Sequence, residues 1–562
     1  MAPLDPGRAP SRDGGVASLA KGGLAGLAGA VVSAGAQMLL MVVLARGLDA
    51  ASAGVVFTTT SLCLMVAGIL RLDAGNGLIY FIARTRAEQY REISRFLRPA
   101  LTPVVVLSLV ASVLVYLGAD PLAALISGPT EPPRPSGTFG AVALTGPSPE
   151  TTATILRTLA LALPVIVCAD LLVAATRGLG TMRPTTLLTG MLHPAAQLLL
   201  VGTLVMTGAA AGRAWAIPAA WSAPALPVLL LAALWLRRPT RHASGTRGKH
   251  RRRSTPDLQA GTTGLHDVVT PLHGTDPPAK DRGTFHLGTA PPSQDDATRA
   301  RGAAAEFWRY TGPRAFGGAV QAVFQRLDVV LVALLAGPAE AAVYTAATRF
   351  KVVGQLVNQG LAQAAQPRLI LAMADGDLPV ARRLYQTATI WLVVLTWPIW
   401  LGYALLAPWL LRAFGDGYDG GAMVAAVLGV TMMVATACGM VDVVLTAAGH
   451  TASSMANMLT AIMVTIALDI VLVPSHGALG AALGWSAGVL AKNLLPLFQI
   501  SRAYGLRPFG PHTMPSLRLW RGGPPPRPQN TTHARHLLLV HSTSTPPTSA
   551  TTPVPREAET TS

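Results

Sequence analysis

The sequence predicts an all-α polytopic membrane protein of about twelve transmembrane helices, arranged as two pseudo-symmetric six-helix lobes. Three observations lead to this prediction. Hydrophobic residues make up 51% of the 562 residues and charged residues only 13%, whereas a soluble domain carries about 25% charged residues. Nearly uncharged stretches of roughly 20 residues recur, which is the length that crosses ~30 Å of hydrocarbon. Finally, passages far apart in the chain repeat one another.

The apolar stretches predict twelve spans. These lie at roughly 17–44, 52–82, 99–117, 152–176, 184–208, 214–236, 311–336, 340–370, 384–411, 421–447, 452–473 and 478–500. We predict helices because the strands of a membrane barrel alternate between apolar and polar residues, and these stretches do not. The first stretch is too long for the apolar region of a cleavable signal peptide, so we interpret it as the first span.

The distribution of positive charge predicts the orientation. The net charge of +17 lies mostly in the tails and in alternate connections, among them 83–98 and 237–303. By the positive-inside rule, these segments and both termini are cytoplasmic, and an even number of spans follows. We expect the protein to be a multi-pass protein of the cell (plasma) membrane. Charge confined to the flanks of spans also argues against a nucleic-acid partner.

Two pairs of passages predict the internal repeat. DLLVAATRG begins at Asp170 and DVVLTAAGH at Asp442, while PAAWSA surrounds Trp221 and ALGWSA surrounds Trp485. Spans 4–6 therefore match spans 10–12. Because each half has six spans, both halves start on the same side of the membrane and form a parallel repeat, a build typical of secondary transporters with a site between the halves.

Composition predicts the domain boundaries. We expect a disordered cytoplasmic N-terminus (1–16), an N-lobe (17–238), a disordered basic cytoplasmic linker (239–303), a C-lobe (304–505) and a disordered cytoplasmic tail (506–562). Linker and tail are rich in Pro, Gly, Ser and Thr and hold too little apolar surface to fold. The 118–150 loop is predicted to be an external Pro/Gly-rich insertion.

Ionisable residues within spans are candidates for function, because they lower the stability of a span in lipid. The hairpin of spans 7 and 8 turns near Pro338. Asp328 comes ten residues before this turn and Arg349 eleven after it, so both lie roughly 15 Å deep and are placed to meet. Arg326 lies about 200° around the helix from Asp328 and is expected to face a polar cavity or to serve a structural role.

Further charges leave alternatives open. Lys351 is either a second cavity-facing cation or a structural one. Arg71 and Asp73 either line an inner vestibule or mark the membrane interface. Asp170 and Asp442 occupy equivalent places in the repeat, which suggests a shared structural job of capping or pairing near the inner surface.

Enzymatic chemistry is not predicted. The sequence contains no HExxH, Walker A, GxSxG or CxxC arrangement, so neither a catalytic site nor a metal or other cofactor is expected. Its three cysteines are scattered in apolar stretches and offer no disulfide framework. Asp469 is expected to reach headgroup water near the outer end of its span.

Several passages resemble a known family. ASLAKGGLAGLAGAVVSAGAQMLLMVVLARGLDAASAGVVFTTTSL resembles the first hairpin of the polysaccharide flippases of the multidrug/oligosaccharidyl-lipid/polysaccharide exporter (MOP) superfamily. QRLDVVLVALLAGPAEAAVYTAATRF, with its Arg-x-Asp and following Tyr, is similar to that family's seventh and eighth spans. FGDGYDGGAMVAAVLGV and VLTAAGHTASSMANMLTAIMVTIALDIVLVPSHGALGAALGWSAG are similar to its tenth to twelfth spans.

The resemblance implies a MATE-like fold and a flippase. Such a protein would move an undecaprenyl-diphosphate-linked oligosaccharide from the inner to the outer leaflet, for cell-surface polysaccharide biosynthesis and export. The cations that would hold the diphosphate in the cavity are Arg326, Arg349, Lys351 and Arg71, with Asp328 and Asp73 as structural partners inside the membrane. A guanidinium group suits this role, since it binds phosphate in a bidentate manner. Expected partners are the lipid-linked oligosaccharide, membrane lipids, and the glycosyltransferases and polymerase of a polysaccharide pathway.

Two alternatives remain from the sequence. A cation-coupled drug exporter of the same superfamily would require a titratable carboxylate in the first span, and none occurs between Lys21 and Arg46. A non-transporting membrane scaffold for polysaccharide assembly would act through the linker and the tail.

Overall fold

The computed structural model describes residues 12–85, 93–127, 148–180, 182–245, 294–511 and 513, and every regular element within them is helical. The first half contains α1 (Arg12–Gly47), α2 (Ala50–Leu70), α3 (Ala74–Thr85), α4 (Ile93–Leu117), α5 (Ala119–Ser127), α6 (Pro149–Gly178), a π-helix (Thr185–Leu192), α7 (His193–Met206), α8 (Ala216–Ser222) and α9 (Ala225–Gly245). The second half contains α10 (Gln294–Phe324), α11 (Leu327–Ala336), α12 (Pro338–Thr348), α13 (Lys351–Ala374), α14 (Leu378–Arg412), α15 (Gly421–Ala437), α16 (Val441–Ala447) and α17 (Thr451–Tyr504).

The predicted spans all fall on these helices. Within the described residues, nine helices are long and apolar enough to cross a membrane, and the bent pair α10–α11 adds a tenth. Helix α17 is 54 residues long and holds two predicted spans, because its backbone leaves the helical region at Gly477 (φ 54°, ψ −131°). Span 8 corresponds to α12 and α13. The prediction of an all-α, multi-pass membrane protein is therefore confirmed.

Small residues let the two parts of α17 fold back on one another. Gly480, Gly484 and Gly488 are spaced four residues apart and share one helix face. A Cβ atom at Gly484 would lie 2.0 Å from Oδ1 of Asp469, and one at Gly488 would lie 2.0 Å from Oγ1 of Thr465. Such a stripe permits close backbone approach between membrane helices, which makes this hairpin a rigid unit.

The turn of the span 7–8 hairpin lies where the sequence predicts it. Gly337 separates α11 from α12 with a φ of 89°, a conformation that favours glycine. Pro338 is the first residue of α12, where its fixed φ fits the helix and its missing N–H leaves no hydrogen bond unmade.

Contacts between the two halves join helix ends. Nε of Arg46, in the last turn of α1, donates to the carbonyl oxygen of Ala413 at 2.7 Å, just beyond the end of α14. Helix α2 packs so tightly on the start of α12 that a Cβ at Gly54 would lie 1.7 Å from the carbonyl oxygen of Pro338. Helix α10 also crosses to the first half, where Nε1 of Trp308 donates to the carbonyl of Pro99 at 3.1 Å.

Several predicted boundaries need correction. Helix α1 begins within the predicted disordered N-terminus, and α9 and α10 extend into the two ends of the predicted 239–303 linker. Leu506 is fully buried, so the predicted tail begins with packed residues, and α5 lies within the predicted external insertion. The remaining parts of these segments lie outside the described residues.

Replacing Gly54 by Ala is expected to destabilise the protein. The new methyl group would collide with the Pro338 backbone, and overpacking of this kind lowers stability by about 1–3 kcal/mol. The control is Gly202→Ala in α7, where a Cβ has no neighbour within 4 Å. Thermal unfolding of the purified protein in detergent should show a lower Tm for Gly54→Ala only. Equal Tm values for both variants and the wild type would contradict the tight contact.

Candidate functional site

A cavity of about 260 Å³ lies between helices of both halves. The first half supplies most of its lining, including the neutral polar side chains of Gln37, Thr60, Ser61, Thr189, Gln197 and Ser222. Among the described residues, the second half contributes only Arg326 and Arg349 to the lining. The second-half side of the cavity is therefore cationic, and the first-half side is apolar and neutral-polar apart from Asp170 and His193.

Each of three arginines lies where a span is broken. Arg71 follows the end of α2, ahead of Leu72 and Asp73, whose φ values of 49° and 54° are rare for residues other than glycine. Arg326 separates α10 from α11, which are bent by 43°, and Arg349 follows the end of α12. Arg71 and Arg349 thus come directly after the C-terminal end of a helix, where exposed carbonyl groups favour a positive charge. Arg326 lies two residues after the end of α10 and directly before α11.

The guanidinium groups of Arg326 and Arg349 form no salt bridge in the described part of the chain, and Asp328 is the acid whose charge acts on both of them. Nε of Arg349 is buried there without a hydrogen-bond partner. The two groups lie close enough to repel one another. A buried donor without a partner destabilises a structure, and an anion bound between the two arginines would relieve both effects.

Arg71 differs from these two because it is paired. Its Nη1 lies 3.2 Å from Oδ2 of Asp170 on α6, and the two side chains are 48% and 40% exposed. Asp170 also lines the cavity, and Arg71 acts electrostatically on Arg326. The pair therefore belongs to the edge of the same site. Asp442, the counterpart of Asp170 in the repeat, accepts a hydrogen bond from Oγ of Ser454.

Asp328 ties the span 7–8 hairpin, but through Tyr344 rather than Arg349. The phenol of Tyr344 donates to Oδ2 of Asp328 at 2.8 Å, and the backbone N–H of Val329 donates to Oδ1 at 2.9 Å. The turn at Gly337 places Tyr344 opposite Asp328, while Arg349 lies past the end of α12. The expected contact of Asp328 with Arg349 is therefore corrected to a hydrogen bond between Asp328 and Tyr344 across the hairpin.

Asp73 links the two halves. Its Oδ2 lies 2.9 Å from Nε of Arg314 on α10, and its Oδ1 accepts from Nδ2 of Asn76 at 2.6 Å. Asp73 is thus a structural partner inside the protein, although its cation is not the neighbouring Arg71. The contact anchors the break after α2 to the second half.

Lys351 lies apart from the cavity lining. Its ammonium group is 3.8 Å from the centre of a Trp485 ring and 6.0 Å from that of Tyr344. Such a cation–π contact satisfies a cation without a counter-ion. Of the four predicted cavity cations, the structure brings Arg326 and Arg349 into the lining, Arg71 to its edge, and Lys351 onto an aromatic face. Their predicted role in substrate binding stays a prediction.

Asp469 does not reach headgroup water, contrary to the expectation from its place near the end of a span. Its side chain is buried, and neither carboxylate oxygen has a hydrogen-bond partner among the described residues. The reason is the fold of α17, which presses Gly484 against this side chain.

The sequence did not single out some cavity residues. Thr189 and His193 lie at the π-helix and directly after it, and π-helical turns are frequent at functional sites. The one local feature of the sequence here is that Pro194 follows His193. No local pattern marks Gln197, whose Nε2 donates to the carbonyl of Trp221 at 2.8 Å.

The fold and the cavity together define the class of protein: a multi-pass helical membrane protein with a cation-lined site between its two halves. The chain is similar to a structure titled as the inward-facing conformation of a multidrug resistance MATE family transporter of the MOP superfamily. The TM-score is 0.59 at 14% identity, covering 89% of this chain and 100% of that chain.

The chain is also similar to the lipid II flippase MurJ in an inward closed conformation, with a TM-score of 0.58 at 10% identity, covering 88% of this chain and 90% of that chain. No protein-family profile and no curated protein sequence matches the chain. At these identities the likeness shows the fold. The MATE-like fold predicted from the sequence is therefore confirmed.

Replacing Tyr344 by Phe is expected to lower stability without removing a charge. The change leaves the buried Asp328 carboxylate short of one hydrogen bond, which lowers stability by about 1–3 kcal/mol. The matched control is Tyr116→Phe, because Tyr116 is exposed and its hydroxyl has no hydrogen bond to a described residue. Thermal unfolding in detergent should separate the two variants. A Tm of Tyr344→Phe equal to that of the control would argue against the hairpin contact.

Proposed function

We propose that the protein is a membrane transporter that flips an undecaprenyl-diphosphate-linked oligosaccharide across the cell membrane by alternating access, for cell-surface polysaccharide biosynthesis. Both termini would be cytoplasmic. The observation that carries the proposal is the pair Arg326 and Arg349, which line the cavity and form no salt bridge with a described residue. Two unpaired guanidinium groups inside a membrane protein favour an anionic ligand.

A diphosphate matches this arrangement by charge and by geometry. Each guanidinium presents parallel N–H groups that bind two phosphate oxygens at once, and such charge-assisted hydrogen bonds are strong. Their strength grows in an enclosed site, where water screens the charges less. Two arginines from adjacent helix breaks can thus hold the two phosphates, and the third, Arg71, lies near enough to Arg326 to join them.

The neutral polar side chains of the cavity lining are suited to bind a sugar next to the diphosphate. The hydroxyls of Thr60, Ser61 and Thr189 and the amides of Gln37 and Gln197 line the first-half side of the cavity. Hydroxyl and amide groups suit the hydroxyls of a sugar, because each can donate and accept hydrogen bonds. The polyprenyl chain would stay in the bilayer while the headgroup passes between the halves.

The helix breaks provide bending points for alternating access. Discontinuous helices at the centre of a transporter place charged groups at the substrate and let parts of the fold rock around it. The breaks at Arg71, Arg326 and Arg349 lie next to the cavity. One structural neighbour is described as a lipid II flippase, which agrees with a lipid-linked anion as cargo. Glycosyltransferases and a polymerase remain predicted partners.

A drug exporter of the same superfamily is the less supported alternative. A cationic drug would need acidic groups in the cavity. The only acid among the described lining residues is Asp170, and Arg71 already pairs with it. The α1 residues in the lining, Gln37, Leu40, Met41 and Leu44, are all uncharged.

Replacing Arg326 or Arg349 by Ala is expected to weaken binding of the lipid-linked diphosphate by about 10- to 100-fold, the worth of one or two charge-assisted hydrogen bonds. Binding to the purified protein and flipping in proteoliposomes both measure this loss. Arg213→Ala is the matched control, because Arg213 is exposed and lies outside the cavity lining. Unchanged binding and flipping in both cavity variants would refute the proposed function.

A second experiment separates a flippase from a scaffold. Residues 246–293 are replaced by a Gly/Ser linker of equal length, which leaves α9 and α10 intact. A flippase should keep its transport rate in proteoliposomes, because the described residues that line the cavity all lie outside this segment. If flipping were lost while the cavity variants remained active, a scaffold acting through this segment would be favoured instead.

A further inference from the structure

Asp170 is the one acid among the described residues that line the cavity, and it forms an ion pair with Arg71. The three arginines near the cavity are therefore not equivalent. Arg326 and Arg349 form no salt bridge with a described residue, whereas Arg71 forms one with Asp170. If all three bind the same headgroup, the carboxylate of Asp170 and a phosphate must compete for Arg71.

The exposure of the pair makes such an exchange feasible. The side chains of Arg71 and Asp170 are 48% and 40% exposed, and their closest atoms are 3.2 Å apart. A half-exposed ion pair with a single contact contributes little to stability. By contrast, Asp328 is buried and accepts hydrogen bonds from both Tyr344 and the backbone, so its contacts are not available for exchange.

The surroundings of Asp170 offer it other partners. His193 and Arg177 both lie near enough to interact with its charge, and the His193 ring is hydrogen-bonded to the backbone of Pro224. If Arg71 turned away, Asp170 would still have positive or polar groups nearby. Arg71 itself follows the end of α2 at a break that Asp73 anchors to Arg314, so the arginine side chain can reorient while the backbone stays fixed.

We propose that Asp170 is a built-in counter-anion: it holds Arg71 before the substrate binds and is exchanged for a phosphate group of the incoming headgroup. Asp170 is then a positioning residue. It reduces the repulsion between Arg71 and Arg326, and it regains Arg71 when the headgroup leaves, which favours release. The inference rests on the proposed function, since it needs a phosphate-bearing ligand in this cavity.

The exchange predicts that affinity and transport move in opposite directions in Asp170→Asn. Calorimetric titration of the full-length protein with inorganic pyrophosphate should give binding that is about 3- to 5-fold tighter, the factor that a half-exposed ion pair contributes. Flipping of an undecaprenyl-diphosphate-linked oligosaccharide in proteoliposomes should become slower, because release no longer has the competing carboxylate. Asp170→Glu should restore both values towards the wild type.

Two comparisons make the test specific. Asp442→Asn removes the matching carboxylate of the other half, which bonds Ser454 and lies outside the cavity lining, and it should change neither value. In an Arg71→Ala background, Asp170→Asn should no longer tighten pyrophosphate binding, because the pair is already broken. Equal tightening in that background would indicate a general effect of net charge and would overturn the exchange.

The outcomes also separate this inference from the proposed function. If the wild-type protein binds no pyrophosphate and flips no lipid-linked oligosaccharide, the proposed function fails. If the wild type does both but Asp170→Asn binds pyrophosphate equally or more weakly, only the exchange fails and Asp170 is a structural partner. A variant that does not fold is recognised by its Tm, and in that case Asp170→Glu is the deciding variant. If its longer side chain leaves affinity and transport unchanged, the exchange is supported. Loss of both contradicts it.

Discussion

The positive charges of Arg71, Arg326 and Arg349 lie within a membrane protein, where neither lipid nor an unbroken helix stabilises them. An arginine facing hydrocarbon lowers the stability of a span, so each must face protein or a polar cavity. Here Arg71 and Arg349 directly follow the C-terminal end of a helix, where unpaired carbonyl groups favour a cation, and Arg326 lies in the bend between α10 and α11. The same breaks that stabilise the charges also orient them around one cavity. Much of the rest of the structure serves to hold these breaks in place.

Close packing fixes the helices on either side of the breaks. Gly54 lets α2 lie against the start of α12, and the stripe that includes Gly484 lets α17 fold back on itself. Asp328 joins the two helices of the span 7–8 hairpin through Tyr344. Rigid segments connected at a few irregular residues are what a rocking transporter needs, because bending is then confined to the breaks. Tight packing thus involves residues within the helices, and bending involves the residues at the breaks between them.

Hydrophobicity and charge made much of this structure predictable from sequence. Spans are a local property, so all twelve predicted stretches fall on helices, and the turn before Pro338 is correctly placed. The partners of the charges were not predictable, because Arg71 and Asp170 are 99 residues apart and meet only through helix packing. Lys351 was expected near the cavity, but the break after α12 turns it onto Trp485. The π-helix has no sequence signature that would have predicted it.

The central claim is that Arg326 and Arg349 hold the diphosphate of a lipid-linked sugar between the two halves. A cryo-EM structure of the protein with a bound undecaprenyl-diphosphate-linked oligosaccharide tests it most directly. We predict phosphate oxygens within hydrogen-bond distance of both guanidinium groups, and sugar hydroxyls next to the neutral lining of the first half. A headgroup bound elsewhere, with neither guanidinium in contact with phosphate, would contradict the account.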